Sequence, residues 1–272
     1  MKNKIIVFTL MMSALFSQID KKSMVYDKSY VQEKFELKYS DDWNFRWNVH
    51  GTPHRVYGNN ISYVFDYQNE DLSEYYARKF IQENEFLFGI ENSNLELWVN
   101  ELGEKIRCLI FNQTYHDIPI YNARLDFRFN ERGNLVLFGH DGYPYININP
   151  NYDLSQEQAL NLAKERVLFD TDKGDFVVGE PEKFIWVKKS EIPEYHLAWL
   201  VELHVFEIQE QINSRPVHHW KVFVDGNSGK ILEQFDLAMD LTISGHVTGD
   251  VKDEPFGEET NRGLQNVKIS VN

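Results

Sequence analysis

One cysteine, Cys108, is all the thiol that the 272 residues contain. Without a second, no intrachain disulfide can form, so burial and hydrogen bonding must hold the chain together even in an oxidising compartment. Cys108 sits in an apolar, strand-like run and is expected to be a small core residue. Basic charge is scarce too: 28 Lys and Arg face 42 Asp and Glu, a net charge of -14. No long basic run offsets it, which argues against nucleic acid and anionic membranes as partners. The one long hydrophobic run, Ile5 to Phe16, is too short to span a bilayer. Low-complexity stretches, internal repeats and Gly-x-Gly-x-x-Gly or phosphate loops are absent.

What is present is a folding sequence, 42% hydrophobic and 14% aromatic, long enough for two modest domains. Lys2 and Lys4 precede the apolar run, and Ser17 follows it as a small residue at a cleavage position. Residues 1–17 are therefore expected to be a secretory signal peptide and the protein to be secreted. Residues 18–39 are polar, rich in Lys and poor in apolar positions, and are expected to form a surface lead-in.

Between Phe111 and Phe138 the residues dictate a hairpin. Ala123, Leu125, Phe127 and Phe129 alternate with Arg124, Asp126, Arg128 and Asn130, then Glu131-Arg132-Gly133-Asn134 turns the chain and Leu135 to Phe138 returns. Upstream, Ala77, Phe80, Ile81, Asn84 and Leu87 recur at helical spacing, with Asp71 or Ser73 able to cap and Gly89 to stop the helix. The Pro144–Pro150 stretch marks a boundary, after which the pattern restarts. Ser155 and Gln158 form a capping box for a helix that buries Ala159, Leu160, Ala163 and Val167. Strands are expected over 184–187, 195–205 and 219–224, and Asp225 to Gly229 turns into a last one over 230–235. The fold class is α+β: two modules, each a helix on an antiparallel sheet, followed by the beginning of an all-β sandwich.

These residues carry a resemblance. Phe111, Gln113, Tyr115, Ile118, Pro119 and Ala123, the Trp-rich stretch from Trp43 into His50-Gly51-Thr52-Pro53, and the helix YARKFIQENEFLFGI resemble the fungalysin/thermolysin pro-region over residues 40–146. Residues 150–236 resemble a PepSY domain, on LSQEQALNLAKERV, on Tyr195, Leu197, Ala198, Trp199 and Val201, and on Trp220 through Asp225, Ser228, Gly229 and Ile231. Residues 242–272, on Ile243 to Val247 and Gly263 to Val271, resemble the first strands of a carboxypeptidase-regulatory-type sandwich, which needs further strands to bury a face. The resemblance implies a secreted pro-region that inhibits a zinc metallopeptidase and assists its folding. Its partner would be the cognate catalytic domain, in cis or after cleavage in trans. Zinc is expected only in that downstream domain, and the linker 236–242 is the candidate processing region. A secreted or cell-surface binding module without a protease is the alternative.

No catalytic, cofactor or metal site is expected in the chain itself. None of the nine histidines is followed by Glu, so the His-Glu-x-x-His zinc helix is missing. Gly51 and Pro53 break any helix between His50 and His54. His218 and His219 should point to opposite faces of a strand, and His196 and His204 are too far apart along theirs to share an ion. The acidic run Asp170, Asp172 and Asp175 has Pro181 where a calcium loop needs a bidentate Glu, so a solvated turn is expected. Ser228 has the wrong spacing for a nucleophile elbow. The motif positions Phe111, Gln113, Tyr115, Ile118, Pro119, Trp199, Asp225 and Gly229 are expected to be structural.

Overall fold

A computed structural model describes residues 27–91, 94–206, 218–238, 248–252 and 259–263. The fold is α+β: helices lie on a mixed ten-stranded sheet. The proposed signal peptide and most of the expected sandwich strands lie outside the described residues.

The lead-in stretch contains a helix, α1 (Lys28–Tyr39). Asp27 caps it by accepting from the amides of Ser29 and Tyr30. One turn apart, Val31 and Phe35 face inward, and the Phe35 ring meets Trp43 and Phe138 at 5.6 Å each. Two inward residues in twelve are too sparse for a visible helical period, which is why the sequence showed only polarity there. Next come β1 (Trp43–Trp47) and β2 (Pro53–Ser62), an antiparallel pair.

Helix α2 (Glu70–Glu83) follows, and its cap is Asn69, which accepts from the Leu72 amide, instead of Asp71 or Ser73. After Asn84 a short helix α3 (Glu85–Phe88) runs to Gly89, whose left-handed φ of 59° ends it as expected. Strands β3 (Leu95–Leu102), β4 (Ile106–Tyr115), β5 (Ile118–Asn130) and β6 (Asn134–His140) are consecutive antiparallel neighbours. The β4–β5 turn is His116-Asp117, both at positive φ (49° and 61°), the twist that a two-residue hairpin demands. Leu109, Phe111, Leu125, Phe127, Phe129 and Phe138 close against α1, α2 and α3 in one core, within which the tilted rings of Phe80 and Phe138 meet at 5.0 Å.

Cys108 does not join that core. Burial alternates along β4, so Arg107, Leu109 and Phe111 turn inward and Cys108 lies half-buried on the opposite face. The inward Arg107 is stabilised where a charge would otherwise be costly: it donates to the carbonyls of Tyr67 and Gln68 and to Asn100 Oδ1 (2.5, 2.7 and 2.7 Å), fixing the loop that starts α2.

After the connection 141–155, helix α4 (Gln156–Arg166) opens on the expected capping box between Ser155 and Gln158. A 3-10 turn (Thr171–Lys173) leads into β7 (Phe176–Lys188), β8 (Glu194–Val205), β9 (His218–Asp225) and β10 (Ile231–Asp236), again antiparallel neighbours. Helix α4 packs Ala159 and Ala163 against Trp199, Val201, Leu203, Val222 and Val224. The two halves share one sheet, because β5 and β7 pair in parallel at Ile120 and Ile185, giving the order β1-β2-β6-β5-β7-β8-β9-β10 with β4 and β3 branching from β5. A separate pair, β11 (Thr248–Lys252) and β12 (Glu259–Gly263), is antiparallel. The expected strands at 243–247 and 264–271 lie outside the described residues.

Candidate functional site

The motif positions gather around the connection between the halves. Gln113, buried on β4, holds Tyr143 by both backbone groups: its amide donates to the Tyr143 carbonyl and its oxygen accepts from the Tyr143 amide, each at 2.7 Å. Two residues on, the Tyr115 hydroxyl donates to the Ile148 carbonyl at 3.2 Å. Phe111 lies in the first core, edge-on to Phe127 at 5.8 Å. Ile118 is buried beside Ile120, Tyr143, Ile185 and Leu197, and half-buried Pro119 faces Thr114 across the hairpin.

The second half grips the far end of the connection. The Trp199 indole donates to the Leu154 carbonyl at 3.1 Å, its ring 5.1 Å from that of Tyr152. The Tyr152 hydroxyl reaches the carbonyls of Phe184 and Ala198 (3.0 and 3.3 Å), tying β7 and β8 to the same segment. Asp225 organises the β9–β10 turn: one oxygen accepts from the amides of Asn227 and Ser228 and the Ser228 hydroxyl, while the other bonds His196 at 2.9 Å. Gly229 adopts φ 72° within that turn. The turn returns to the connection, since the Gly226 carbonyl accepts from the amides of Asp153 and Leu154. Four of the eight motif residues, Gln113, Tyr115, Trp199 and Asp225, thus build one joint by hydrogen bonds that fix irregular backbone, while Phe111 packs in the first core.

A second network borders the joint, one that no motif or periodicity signals. Asp141 accepts from His54 at 2.6 Å, from Asn48 at 3.0 Å and from Arg55 at 3.1 Å, and Arg55 also pairs with buried Asp126 at 3.2 Å. Burial alone would raise the Asp141 pKa, but the His54, Asn48 and Arg55 bonds hold it below the ordinary carboxylate value. For Asp126 burial prevails over Arg55 and Arg128, and its pKa is raised. His140 is fully buried between the Phe88 carbonyl and the Gly142 amide, and burial pushes it down to about 3, so it is neutral. His50 bonds Thr52 at 2.8 Å and is likewise lowered by burial. These residues are dispersed in sequence over 48–55 and 126–141, and only the β2–β6–β5 register unites them.

Burial pushes Tyr143 and Tyr195 up to about 12 and raises the Cys108 thiol, the opposite of an activated nucleophile. His218 pairs with Asp236 at 2.5 Å and His219 with Glu202 at 3.0 Å. His204 meets His219 edge to face at 4.3 Å across β8 and β9, a neighbourhood that reading each strand alone could not disclose. Among the described residues no three His, Cys, Asp or Glu side chains converge as a metal site. Asp175, from the acidic run, is a buried acceptor for the amides of Asp170 and Phe206 at 2.8 Å each. His246 lies outside the described residues.

With the joint in view, comparison with known proteins adds one relative. The chain is similar to part of a bacterial protease. That protein is Neutral protease B of Bacillus subtilis, 25% identical over 199 residues, or 72% of this chain. The chain spans only 35% of the length of that relative. No protein-family model matches. Among solved structures, the YpeB C-terminal domain of Bacillus megaterium aligns at 14% identity and a TM-score of 0.33, over 68% of this chain and 72% of that one. An uncharacterised protein from Eubacterium rectale aligns at 12% and 0.38, over 79% and 83%.

Proposed function

We propose that this chain is a protease-associated pro-region: a non-catalytic body that docks on a zinc metallopeptidase catalytic domain of the thermolysin type, restrains it and assists its folding. The similarity to a stretch of Neutral protease B carries this reading. Its length, 199 residues, matches a body of two joined units better than an isolated module. The joint supports it from the physical side, since Gln113, Tyr115, Trp199 and Asp225 all serve to position backbone. A prefolded sheet lowers the entropic cost of forming non-local contacts in the protein it templates. Attachment to the same chain would raise the effective concentration of the restraining body. Secretion belongs to the same reading and rests on residues 1–17, and the zinc would belong to the catalytic domain.

The experiment is refolding in trans. Mature Neutral protease B, unfolded and diluted into buffer, should recover more activity when this chain is present, and the native enzyme should hydrolyse peptide more slowly when the chain is added. Unchanged recovery together with unchanged hydrolysis would contradict the reading.

A further inference from the structure

The described helices all cover one side of the ten-stranded sheet. On the bare side of the first half, Arg124, Asp126 and Arg128 alternate with the inward Ala123, Leu125, Phe127 and Phe129. The register sets Gly139 beside Asp126 and Arg46 opposite Arg55. Four of the ten arginines of an acidic chain, Arg46, Arg55, Arg124 and Arg128, therefore stand on this one face. Asp126 engages Arg55 at 3.2 Å and Arg128 at 3.9 Å. Arg46 and Arg124 are exposed and, among the described residues, have no carboxylate at ion-pair distance; Arg46 rests 5.7 Å from the Tyr57 ring.

The same face continues into the second half. Asn122, at φ 58°, lets Ile120 and Ala123 both turn inward, so Tyr121 and Arg124 emerge together on the bare side. There Tyr121, Phe184, Trp186 and Phe235 surround the buried Phe223. Tyr121 and Phe223 belong to strands three places apart, about 14 Å at normal strand spacing, yet their rings approach to 4.6 Å. Trp186 on β7 likewise donates to Glu233 on β10 at 2.7 Å. The sheet curls toward its bare side, forming a groove of about 370 Å³ lined by Tyr121, Trp186 and Phe235 together with Lys189, Glu233 and Lys188, which pairs with Glu194.

We infer that this bare face is the docking surface, and that its occupant is an acidic patch on the restrained protease domain: carboxylates meet Arg46 and Arg124, and one apolar side chain enters the groove. This rests on the pro-region reading above and adds where and how the partner is held. Arginine's planar fork suits carboxylates. On a chain whose net charge is -14, a local basic patch repels basic partners there and steers acidic ones to that spot. The aromatic floor supplies the rigid anchor site that binding surfaces use.

The test titrates the full chain against mature Neutral protease B at low and high salt, beside two double variants that reverse charge. Arg46→Glu with Arg124→Glu lies on the bare face; Lys34→Glu with Lys79→Glu lies on α1 and α2. Thermal unfolding of each establishes that the fold is intact. The inference expects salt-sensitive binding that weakens at least about tenfold in the arginine variant and is little changed in the lysine variant. Binding lost in the lysine variant but kept in the arginine variant would overturn the face assignment and leave the pro-region reading standing. If wild type fails to bind, slow or refold the protease at all, both fall together.

Discussion

At the scale of single residues, the motif positions act by satisfying backbone that no ladder reaches. Gln113 is the clearest case, because the Tyr143 amide and carbonyl are both buried and Gln113 supplies both partners. Replacing it with Ala strands the two groups at about 1–3 kcal/mol each, and urea titration should show a loss of about 2–6 kcal/mol. Asp225 yields a prediction in pH. Burial would raise its pKa, but the Ser228 amide, His196 and the Ser228 hydroxyl outweigh burial and hold it below the usual 3.8. A depressed folded-state pKa contributes stability above the unfolded value and loses it as pH falls through the folded one. Stability should therefore drop as pH is lowered beneath about 4, and Asp225→Asn should flatten that dependence in a series of unfolding curves.

At the scale of elements, legibility followed periodicity. The hairpin of β5 and β6 could be foreseen because Ala123, Leu125, Phe127 and Phe129 keep strict alternation and Gly133 takes φ 73° in the turn. Helix α4 declared itself through its capping box. Helix α1 did not, since it buries only Val31 and Phe35 and its other positions are polar. Its importance is measurable: Phe35→Ala removes a fully buried ring that touches β1 and β6 and should cost about 3–5 kcal/mol, whereas a dispensable surface lead-in would lose nothing. The His116-Asp117 turn was hidden for another reason. Neither residue is the Gly or Asn that advertises positive φ, so the hairpin geometry there is imposed by the strands.

The curled bare face was equally invisible, because it depends on strands three places apart in the sheet. Sequence alternation tells which residues leave the core, but not which of them meet. Thus Arg55, Asp126 and Asp141 could each be taken as ordinary surface charge, and only the register joins them with His54.

At the scale of the molecule, the two halves behave as one body if the joint does what its geometry indicates. The parallel pairing of Ile120 with Ile185 is a short seam, so most of the coupling must come from the connection: Gln113 and Tyr115 hold it from one side, Tyr152 and Trp199 from the other. A body with a loose hinge could not present the arginines and the aromatic groove as one surface. Native-state hydrogen exchange in increasing urea tests this most directly. The slowest amides of β5 and of β9 should converge on one unfolding free energy, and Gln113→Ala should lower both together. Exchange of β8 and β9 at urea concentrations where β5 and β6 stay fully protected would contradict the account, since the halves would then be separate modules on a string.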